Sequence, residues 1–325
     1  MTVMLGYDSL AGLIDMAGAI DLLEASLAHE GRGNTFVSPK TVTDFTGGSL
    51  RLLMAADYEA GYFATKAYNL TRGAGARYVV SLYRLSDGEL LALLDGQMIT
   101  DLRTGAASGV IARRTAIAGP VTVGVVGSGN QARAQLESLA AAYPVEQARV
   151  YSPNAGHRQA FAAEMSARLG IPVRTAGSVD DAVRGCPVVA TASGYRGSDP
   201  LVRREWLDRC RLLCAVGNTR SQFVEIDVPT LRDAALVCVD SLHAFEEAGE
   251  LRTAEQSGAI SESKRATLAQ VVGGAASVPQ QGLVVFKSVG TALQDLALAV
   301  RCYELLADRP EVCSVADLAL PRAAR

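Results

Sequence analysis

The pattern of hydrophobic and polar positions changes near residue 120 of this chain. Before that point, alternating stretches such as 61–69 indicate strands, and residues 14–29 have the apolar spacing of an amphipathic helix. After it, short apolar runs typical of strands buried on both faces alternate with helical segments. The pattern predicts an α/β protein, with a mostly antiparallel α+β domain over residues 1–118 and a doubly wound Rossmann domain over residues 119–290.

A last helical pattern follows the Rossmann strands. Ala292, Leu296, Ala299 and Tyr303 fall on one face of a helix near the C-terminus. A helix in this place can cross back to the first domain. We therefore expect the C-terminal segment 291–325 to join that domain as a helix.

The segment 121–132 has the order strand, glycine-rich turn, helix. Gly127, Gly129 and Ala132 form the G-x-G-x-x-A spacing of a dinucleotide fingerprint. The first glycine permits the tight turn, the second lets the backbone approach a pyrophosphate, and the alanine permits close packing of helix on strand. The helix N-terminus then supplies N–H groups to the pyrophosphate. The alternative is an ordinary glycine-rich turn, but strand and helix both lie where the fingerprint requires them.

The end of the second Rossmann strand bears on the choice of cofactor. NAD-specific folds place an acid about 20 residues after the glycines to bind the ribose 2′-hydroxyl. Ser152 and Asn154 occupy this place, and Arg158 follows. A 2′-phosphate is tolerated there, and Arg158 can pair with it unless it is simply a solvated helix residue. We expect NADP as the cofactor, with NAD as the alternative.

The composition narrows the classes of partner. The chain has 325 residues, a formal net charge of −3 and no basic run, which argues against nucleic-acid binding. The six cysteines lack any C-x-x-C spacing and the three histidines are remote in sequence, so we expect a reduced, cytoplasmic protein without a metal site. We expect no membrane association, since neither a basic leader nor an apolar stretch of membrane-spanning length is present.

Two cationic residues stand in unusual surroundings. Lys66 lies inside an apolar strand, where a lysine rarely occurs without a partner, although an edge-strand lysine in solvent is the alternative. Arg103 lies among the small residues of segment 102–109 and can clamp a carboxylate, unless it is a surface arginine at a helix end. Lys40 and Arg51 are weaker members of the same cationic set.

Five stretches give this chain a resemblance to a known family. The chain resembles ornithine cyclodeaminase, mu-crystallin and the archaeal type of alanine dehydrogenase. The stretches follow the family's order and span nearly the whole chain: 61–66, 102–109, 127–132, 215–227, and 285–290 followed by Asp295. The resemblance implies a homodimer built through the N-terminal domain, and an active site between the two domains.

The resemblance also assigns roles to individual residues. Arg103 matches the arginine that binds the substrate carboxylate, and Lys66 matches the active-site lysine. Lys40 or Arg51 matches a second substrate-binding cation, and Met54 and Thr219 are further substrate-binding candidates. The remaining matches concern the cofactor: Gly127, Ser128, Gly129, Asn130, Gln131 and Ala132 for the pyrophosphate loop, Thr191 and Ser193 at a strand end that lines the cofactor, and Val289 and Gly290 near the nicotinamide amide.

One departure from the family pattern bears on the reaction. The family pattern of cyclodeaminases and archaeal alanine dehydrogenases looks to include a catalytic aspartate six residues before a glutamate. In this chain, Thr219 stands six residues before Glu225. Ketimine reductases of the mu-crystallin type have a hydroxyl residue in this place. Loss of the aspartate removes a group that could activate water or accept a proton.

The resemblance therefore implies an NAD(P)H-dependent reductase of small α-imino acids, such as the cyclic ketimine 1-pyrroline-2-carboxylate. Three alternatives remain open at this point. They are an NAD-dependent ornithine cyclodeaminase, an amino-acid oxidoreductase of the alanine dehydrogenase type, and a non-catalytic protein that binds a small ligand.

Overall fold

The structure, a computed structural model, describes residues 1–310, 312–316 and 318. Contacts divide the chain into two compact units. One contains Met1–Arg103 and the described residues from Thr291 onward, and the other contains Thr104–Gly290. The sequence-based boundaries at 1–118 and 119–290 remain a prediction. Within the described part of the chain, no helix is both long and apolar enough to cross a membrane.

The helices and strands follow the order that the hydrophobic pattern indicates. In the first part of the chain they are β1 (Thr2–Leu5), α1 (Tyr7–Leu10), α2 (Met16–Gly31), β2 (Thr35–Val37), β3 (Thr41–Phe45), β4 (Gly48–Asp57), β5 (Tyr62–Thr71), β6 (Gly75–Arg84), β7 (Leu90–Asp95) and α3 (Gly96–Arg114). The second part contains β8 (Val121–Val126), α4 (Asn130–Ala142), β9 (Val145–Tyr151), α5 (Ala155–Leu169), β10 (Val173–Thr175), α6 (Val179–Val183), β11 (Val188–Thr191), β12 (Leu212–Ala215), α7 (Val228–Asp233), β13 (Leu236–Val239), α8 (Ala244–Glu247), α9 (Gly249–Gln256), β14 (Arg265–Thr267), α10 (Leu268–Val272) and β15 (Val284–Lys287), with short 3-10 helices at Arg204–Trp206 and Glu262–Lys264. The last described elements are α11 (Ala292–Leu306) and β16 (Cys313–Val315).

The sheet of the first unit is mostly antiparallel, as predicted. Its strand order is β16-β1-β7-β6-β5-β4-β2, with β3 paired to β4, and β1 runs parallel to β7. Lys66 of β5 lies opposite Leu53 of β4 and Val80 of β6. Opposed residues share a face of the sheet, and Leu53 and Val80 are both buried. Helix α11 packs on β4, β5 and β6, so the Lys66 side chain lies on the covered face.

The C-terminal helix is shorter than the predicted segment 291–325. Helix α11 ends at Leu306, and Pro310 follows soon after, which disfavours helical backbone in the residue before it. Strand β16 then pairs antiparallel with β1. Both strands are too short to show an alternating pattern, and the sequence did not predict them. Residues 311, 317 and 319–325 of the predicted segment lie outside the described residues.

The second unit is a doubly wound parallel sheet, which confirms the predicted fold class. Its strand order is β10-β9-β8-β11-β12-β15-β13-β14, and each of these pairs is parallel. The order reverses between β8 and β11, the place where such sheets bind ligands outside the carboxyl ends of their strands. Four of the predicted cofactor residues lie just after the carboxyl ends of strands: Gly127 follows β8, Ser152 follows β9, Ser193 follows β11, and Val289 follows β15.

Candidate active site

Lys66 is the centre of a buried polar cluster in the first unit. Lys66 is only 2% exposed, which rules out the alternative of an edge-strand lysine facing solvent. Its ammonium donates to Thr100 Oγ1 at 2.6 Å and to Asp295 Oδ1 at 2.7 Å. Thr100 belongs to α3 and Asp295 to α11, so the lysine joins its own strand to two helices. The ammonium is thereby held in one orientation.

Arg103 lies one helical turn after Thr100, on the same side of α3. It is 8% exposed, so it is not a surface arginine at a helix end. Its NH1 group donates to Gln294 Oε1 at 3.0 Å, and its Nε lies 3.4 Å from Asp295 Oδ1. Lys66 and Arg103 therefore share a single carboxylate oxygen.

Several polar atoms of this cluster are buried without a hydrogen-bond partner among the described residues. They are Arg103 Nε, Gln294 Nε2 and Asp295 Oδ2. Buried polar atoms nearly always have hydrogen-bond partners in folded proteins, so these three atoms indicate where a ligand or water completes the network.

The cluster lowers the pKa of Lys66 to about 8. Burial is the main cause, because it disfavours the charged ammonium. Asp295 opposes this effect, whereas the Arg103 guanidinium and the Lys40 ammonium add to it. A lysine with a pKa near 8 exists in both protonation states close to neutral pH, as a group that gives up a proton must.

Two tyrosines line the same face of the sheet. Tyr68 and Tyr78 lie opposite each other on β5 and β6, with ring centroids 5.1 Å apart. The Lys66 ammonium lies 5.8 Å from the Tyr68 ring and 5.1 Å from the Tyr78 ring. Burial raises the pKa of Tyr78, so its hydroxyl stays protonated. The rings enclose the lysine and limit its contact with water.

The three weaker candidates of this unit, Arg51, Lys40 and Met54, differ in their position relative to Lys66. Arg51 lies opposite Tyr68 on the Lys66 face and is 6% exposed. Lys40 is half-buried and acts on the pKa of Lys66, so its charge is also felt at the cluster. Met54 lies on the opposite face and is 42% exposed, because adjacent strand positions point to opposite sides and its neighbour Leu53 faces the cluster. The structure therefore does not bring Met54 to Lys66.

Sequence reasoning gave no role to several members of the cluster: Thr100, Gln294, Asp295, Tyr68 and Tyr78. For Gln294 and Asp295, the available indication was their position beside Leu293 and Leu296 on a mostly apolar helical segment. For Thr100, the indication was its spacing of three residues before Arg103, which places the two on one helix face.

The glycine-rich turn of the second unit has the form of a pyrophosphate site. Gly127 has a φ of +123°, and a Cβ there would lie 2.4 Å from the Ala192 carbonyl oxygen. Gly129 is the N-cap of α4 and has no side chain to cap it, while a Cβ there would meet nothing within 4 Å. Asn130, Gln131 and Ala132 form the first turn of the helix. The open space above an uncapped helix N-terminus fits a phosphate group.

The residues predicted to bind the adenosine end of the cofactor lie around the end of β9. Ser128 donates to Ser152 Oγ at 2.9 Å, which ties the glycine-rich turn to the end of β9. Arg158 donates to the Ser152 carbonyl oxygen at 2.7 Å and lies over the Tyr151 ring at 5.6 Å. Asn154 caps α5 through the His157 N–H. This arrangement places a guanidinium beside the position where NAD-specific folds have a carboxylate.

The residues predicted to line the nicotinamide end of the cofactor differ in their contacts. Thr191 is fully buried, and its hydroxyl has no hydrogen-bond partner among the described residues. Ser193 donates to Glu225 Oε1 at 3.3 Å. The backbone N–H groups of Val289 and Gly290 both donate to Asp240, at distances of 3.0 Å and 2.6 Å to Oδ2. Nothing in the sequence indicated Asp240. Its carboxylate holds the turn at Val289 and Gly290 so that the backbone N–H groups of these two residues point toward it.

A buried ion cluster holds the loop that carries Thr219. Glu225 Oε2 accepts the N–H groups of Gly217 and Asn218, each at 3.0 Å. Lys287 lies 3.4 Å from Glu225 and 2.7 Å from Glu250, and all three side chains are fully buried. Burial raises the pKa of Glu225 and its neighbour Lys287 opposes this. Thr219 is half-buried within the loop that these bonds define.

Comparison with known proteins decides the family. The model of the ornithine cyclodeaminase/mu-crystallin family matches residues 1–309. The chain belongs to this family. It is 31% identical over 307 residues to a Δ1-pyrroline-2-carboxylate/Δ1-piperideine-2-carboxylate reductase of Azospirillum brasilense, covering 92% of this chain and 94% of that protein. The resemblance seen in the sequence is thereby confirmed.

Solved structures agree with this assignment. The Δ1-pyrroline-2-carboxylate reductase of Thermococcus litoralis, in complex with NADH and L-proline, superposes with a TM-score of 0.90 at 27% identity, covering 96% of this chain and 100% of that one. An archaeal alanine dehydrogenase dimer with bound NAD superposes with a TM-score of 0.85 at 28% identity, covering 93% and 95% of the two chains.

Proposed function

We propose that this protein is an NAD(P)H-dependent reductase of small α-imino acids, including cyclic ketimines such as 1-pyrroline-2-carboxylate. The observation that carries the proposal is the buried cluster of Lys66, Arg103 and Asp295, which combines a carboxylate-binding guanidinium with a lysine of lowered pKa. The relatives named above, which reduce this class of imine or bind proline, support it.

Arg103 binds the substrate carboxylate in this proposal. Its guanidinium offers N–H donors in a planar fork that matches a carboxylate, and Gln294 fixes the plane of the fork. Lys66 donates a proton to the imine nitrogen, and Asp295 holds its ammonium in place. When bound, the reduced nicotinamide cofactor supplies the hydride for the imine carbon. The C=N bond thus becomes CH–NH, with one hydride and one proton gained.

Thr219 distinguishes this reaction from the redox-neutral ornithine cyclodeamination of the same family. A hydroxyl group cannot replace a carboxylate as a base at neutral pH. Imine reduction needs no such base, because its substrate already has the C=N bond.

An amino-acid dehydrogenase remains a second candidate, since the archaeal alanine dehydrogenase shares the fold at 28% identity. Oxidation of NAD(P)H with pyruvate that requires free ammonia would favour it.

NADPH is the cofactor we propose. Ser152 takes the place of the acid that would repel a 2′-phosphate, and Arg158 lies next to it with a charge that attracts one. NADPH is expected to bind at least as tightly as NADH. A fluorescence titration in which NADH binds more than tenfold tighter, a difference of about 1.4 kcal/mol, contradicts this choice.

We also propose a homodimer that forms through the uncovered face of the first sheet. Leu50, Leu52 and Met54 are 47%, 38% and 42% exposed on β4, and Val79 is 49% exposed on β6, on the face opposite Lys66. Exposed apolar patches of this kind mark protein interfaces. The Leu52→Asp variant is expected to sediment as a monomer where the wild type sediments as a dimer. A monomeric wild type contradicts the proposal.

Turnover assays test the proposed function directly. The purified protein is incubated with NADPH and 1-pyrroline-2-carboxylate, and both the absorbance of NADPH and the formation of proline are followed. We expect one proline for each NADPH oxidised. Ammonia release from ornithine without added cofactor, together with no imine reduction, would instead indicate the cyclodeaminase.

A further inference from the structure

The buried ion cluster of the second unit contains more acid than base. It consists of Glu225, Glu250 and Lys287, and all three residues are fully buried. The Lys287 ammonium lies 3.4 Å from Glu225 Oε2 and 2.7 Å from Glu250 Oε1, so the two acids share one base. Asp240, a buried acid at the end of the adjacent strand β13, adds no cation, and its carboxylate accepts a hydroxyl and backbone N–H groups.

This composition is unfavourable for folding. Two ionised acids and one ammonium leave an excess negative charge in a place without water, unless a carboxyl group binds an additional proton. Burial raises the pKa of Glu225 and Glu250 adds to this effect, whereas Lys287 opposes both. A buried charge without its own partner is costly, and a single neutral ion pair would cost less. Stability alone therefore does not account for the second acid.

The two acids differ in what they contact besides the shared base. Glu225 Oε2 accepts the backbone N–H groups of Gly217 and Asn218, each at 3.0 Å, and its Oε1 accepts the Ser193 hydroxyl at 3.3 Å. Glu250 Oε2 is buried without a hydrogen-bond partner among the described residues. Both oxygens of Glu225 thus bind the loops that follow β11 and β12, and Glu250 offers no such connection.

The loops after β11 and β12 are in close contact at these bonds. A Cβ at Gly217 would lie 2.6 Å from both the backbone nitrogen and the carbonyl oxygen of Ser193, so the turn leaves no room for a side chain. Strand β11 lies beside β8 at the point where the strand order reverses, which is where such sheets bind ligands. A shift of the turn at Gly217 is therefore passed on to Ser193.

We infer that Glu225 is a positioning residue for the nicotinamide end of the cofactor. Its carboxylate holds the Ser193 hydroxyl and the turn at Gly217 and Asn218 in place, at a cost in stability. An amide side chain has one acceptor oxygen instead of two, so it cannot accept from both Ser193 and the turn. This inference rests on the proposed function, because the family resemblance is what places Ser193 beside the cofactor.

Replacement of each acid by its amide tests the inference. Glu225→Gln and the matched control Glu250→Gln remove the same excess charge, so neither variant should unfold at a lower urea concentration than the wild type. The Kd of NADPH, measured by fluorescence titration, should rise at least about tenfold in Glu225→Gln, which corresponds to about 1.4 kcal/mol. In Glu250→Gln it should stay at the wild-type value.

A cofactor fragment separates positioning from a general structural effect. The compound 2′-phospho-ADP-ribose has the adenosine end and the pyrophosphate of NADPH but lacks the nicotinamide. Calorimetry should give the same Kd for this fragment in the wild type and in both variants. Only the ligand that has the nicotinamide should distinguish Glu225→Gln from the other two proteins.

The possible results separate the two proposals. A Glu225→Gln variant that fails to fold, or that unfolds at a lower urea concentration, makes Glu225 a structural residue and overturns the inference. Unchanged NADPH binding in Glu225→Gln, an equal loss in both variants, or an equal loss for NADPH and the fragment also overturns it and leaves imine reduction intact. A wild type that binds neither NADPH nor NADH contradicts the proposed function itself.

Discussion

Replacement of Arg103 by lysine tests the best-defined contact of the site. The substitution keeps the positive charge but removes the planar fork and the bond from NH1 to Gln294 Oε1, which is 3.0 Å long. A hydrogen bond to a charged group contributes about 1.5–3 kcal/mol. Loss of one such bond to the substrate carboxylate in the transition state corresponds to a decrease in kcat/KM of about 10- to 150-fold.

The assay compares 1-pyrroline-2-carboxylate with 1-pyrroline, which lacks the carboxylate. The decrease should be large for the first substrate and small for the second. Arg113→Lys, at the exposed end of the same helix, is the matched control and should behave as the wild type. Cofactor binding should not change in Arg103→Lys. Wild-type kcat/KM for the imino acid in a folded Arg103→Lys variant would refute the assignment of the carboxylate to Arg103.

Three further predictions follow from the contacts of other residues. The lowered pKa of Lys66, about 8, predicts that kcat falls as the pH rises through this value, because the proton-donating ammonium is lost; a flat profile to pH 10 would contradict it. Ser152→Asp should shift the ratio of NADPH to NADH affinity at least tenfold toward NADH, since its carboxylate repels a 2′-phosphate; an unchanged ratio in paired titrations would argue that Ser152 is remote from the ribose. Lys287→Met should lower the free energy of unfolding by about 3–5 kcal/mol because two buried glutamates lose their partner, whereas Lys264→Met, at a half-buried lysine, should cost much less in the same urea titration.

The sequence predicts those features that depend on local patterns. Apolar runs, turn glycines and helical spacing were sufficient to predict the parallel sheet and the glycine-rich turn between β8 and α4. The apolar strand around Lys66 drew attention to this residue but left open whether its side chain is buried or faces solvent. These features are encoded by residues close together in the chain, where periodicity and turn chemistry act.

Features that depend on contacts between distant segments were not predicted. Lys66 and Asp295 are 229 positions apart, and Glu225 and Lys287 are 62 positions apart. The spacing along one chain does not reveal which buried acid pairs with which buried base. The side of the sheet on which Met54 lies depends on strand register, where a shift of one residue exchanges the two faces.

The roles that we propose for Arg103 and Lys66, carboxylate binding and proton donation, serve the reduction of an α-imino acid. The most direct measurement is a single-turnover reaction of the protein with NADPH deuterated at the transferred position and 1-pyrroline-2-carboxylate. We expect proline with one deuterium on the α-carbon. Proline without deuterium, or NADPH that remains reduced, would contradict it.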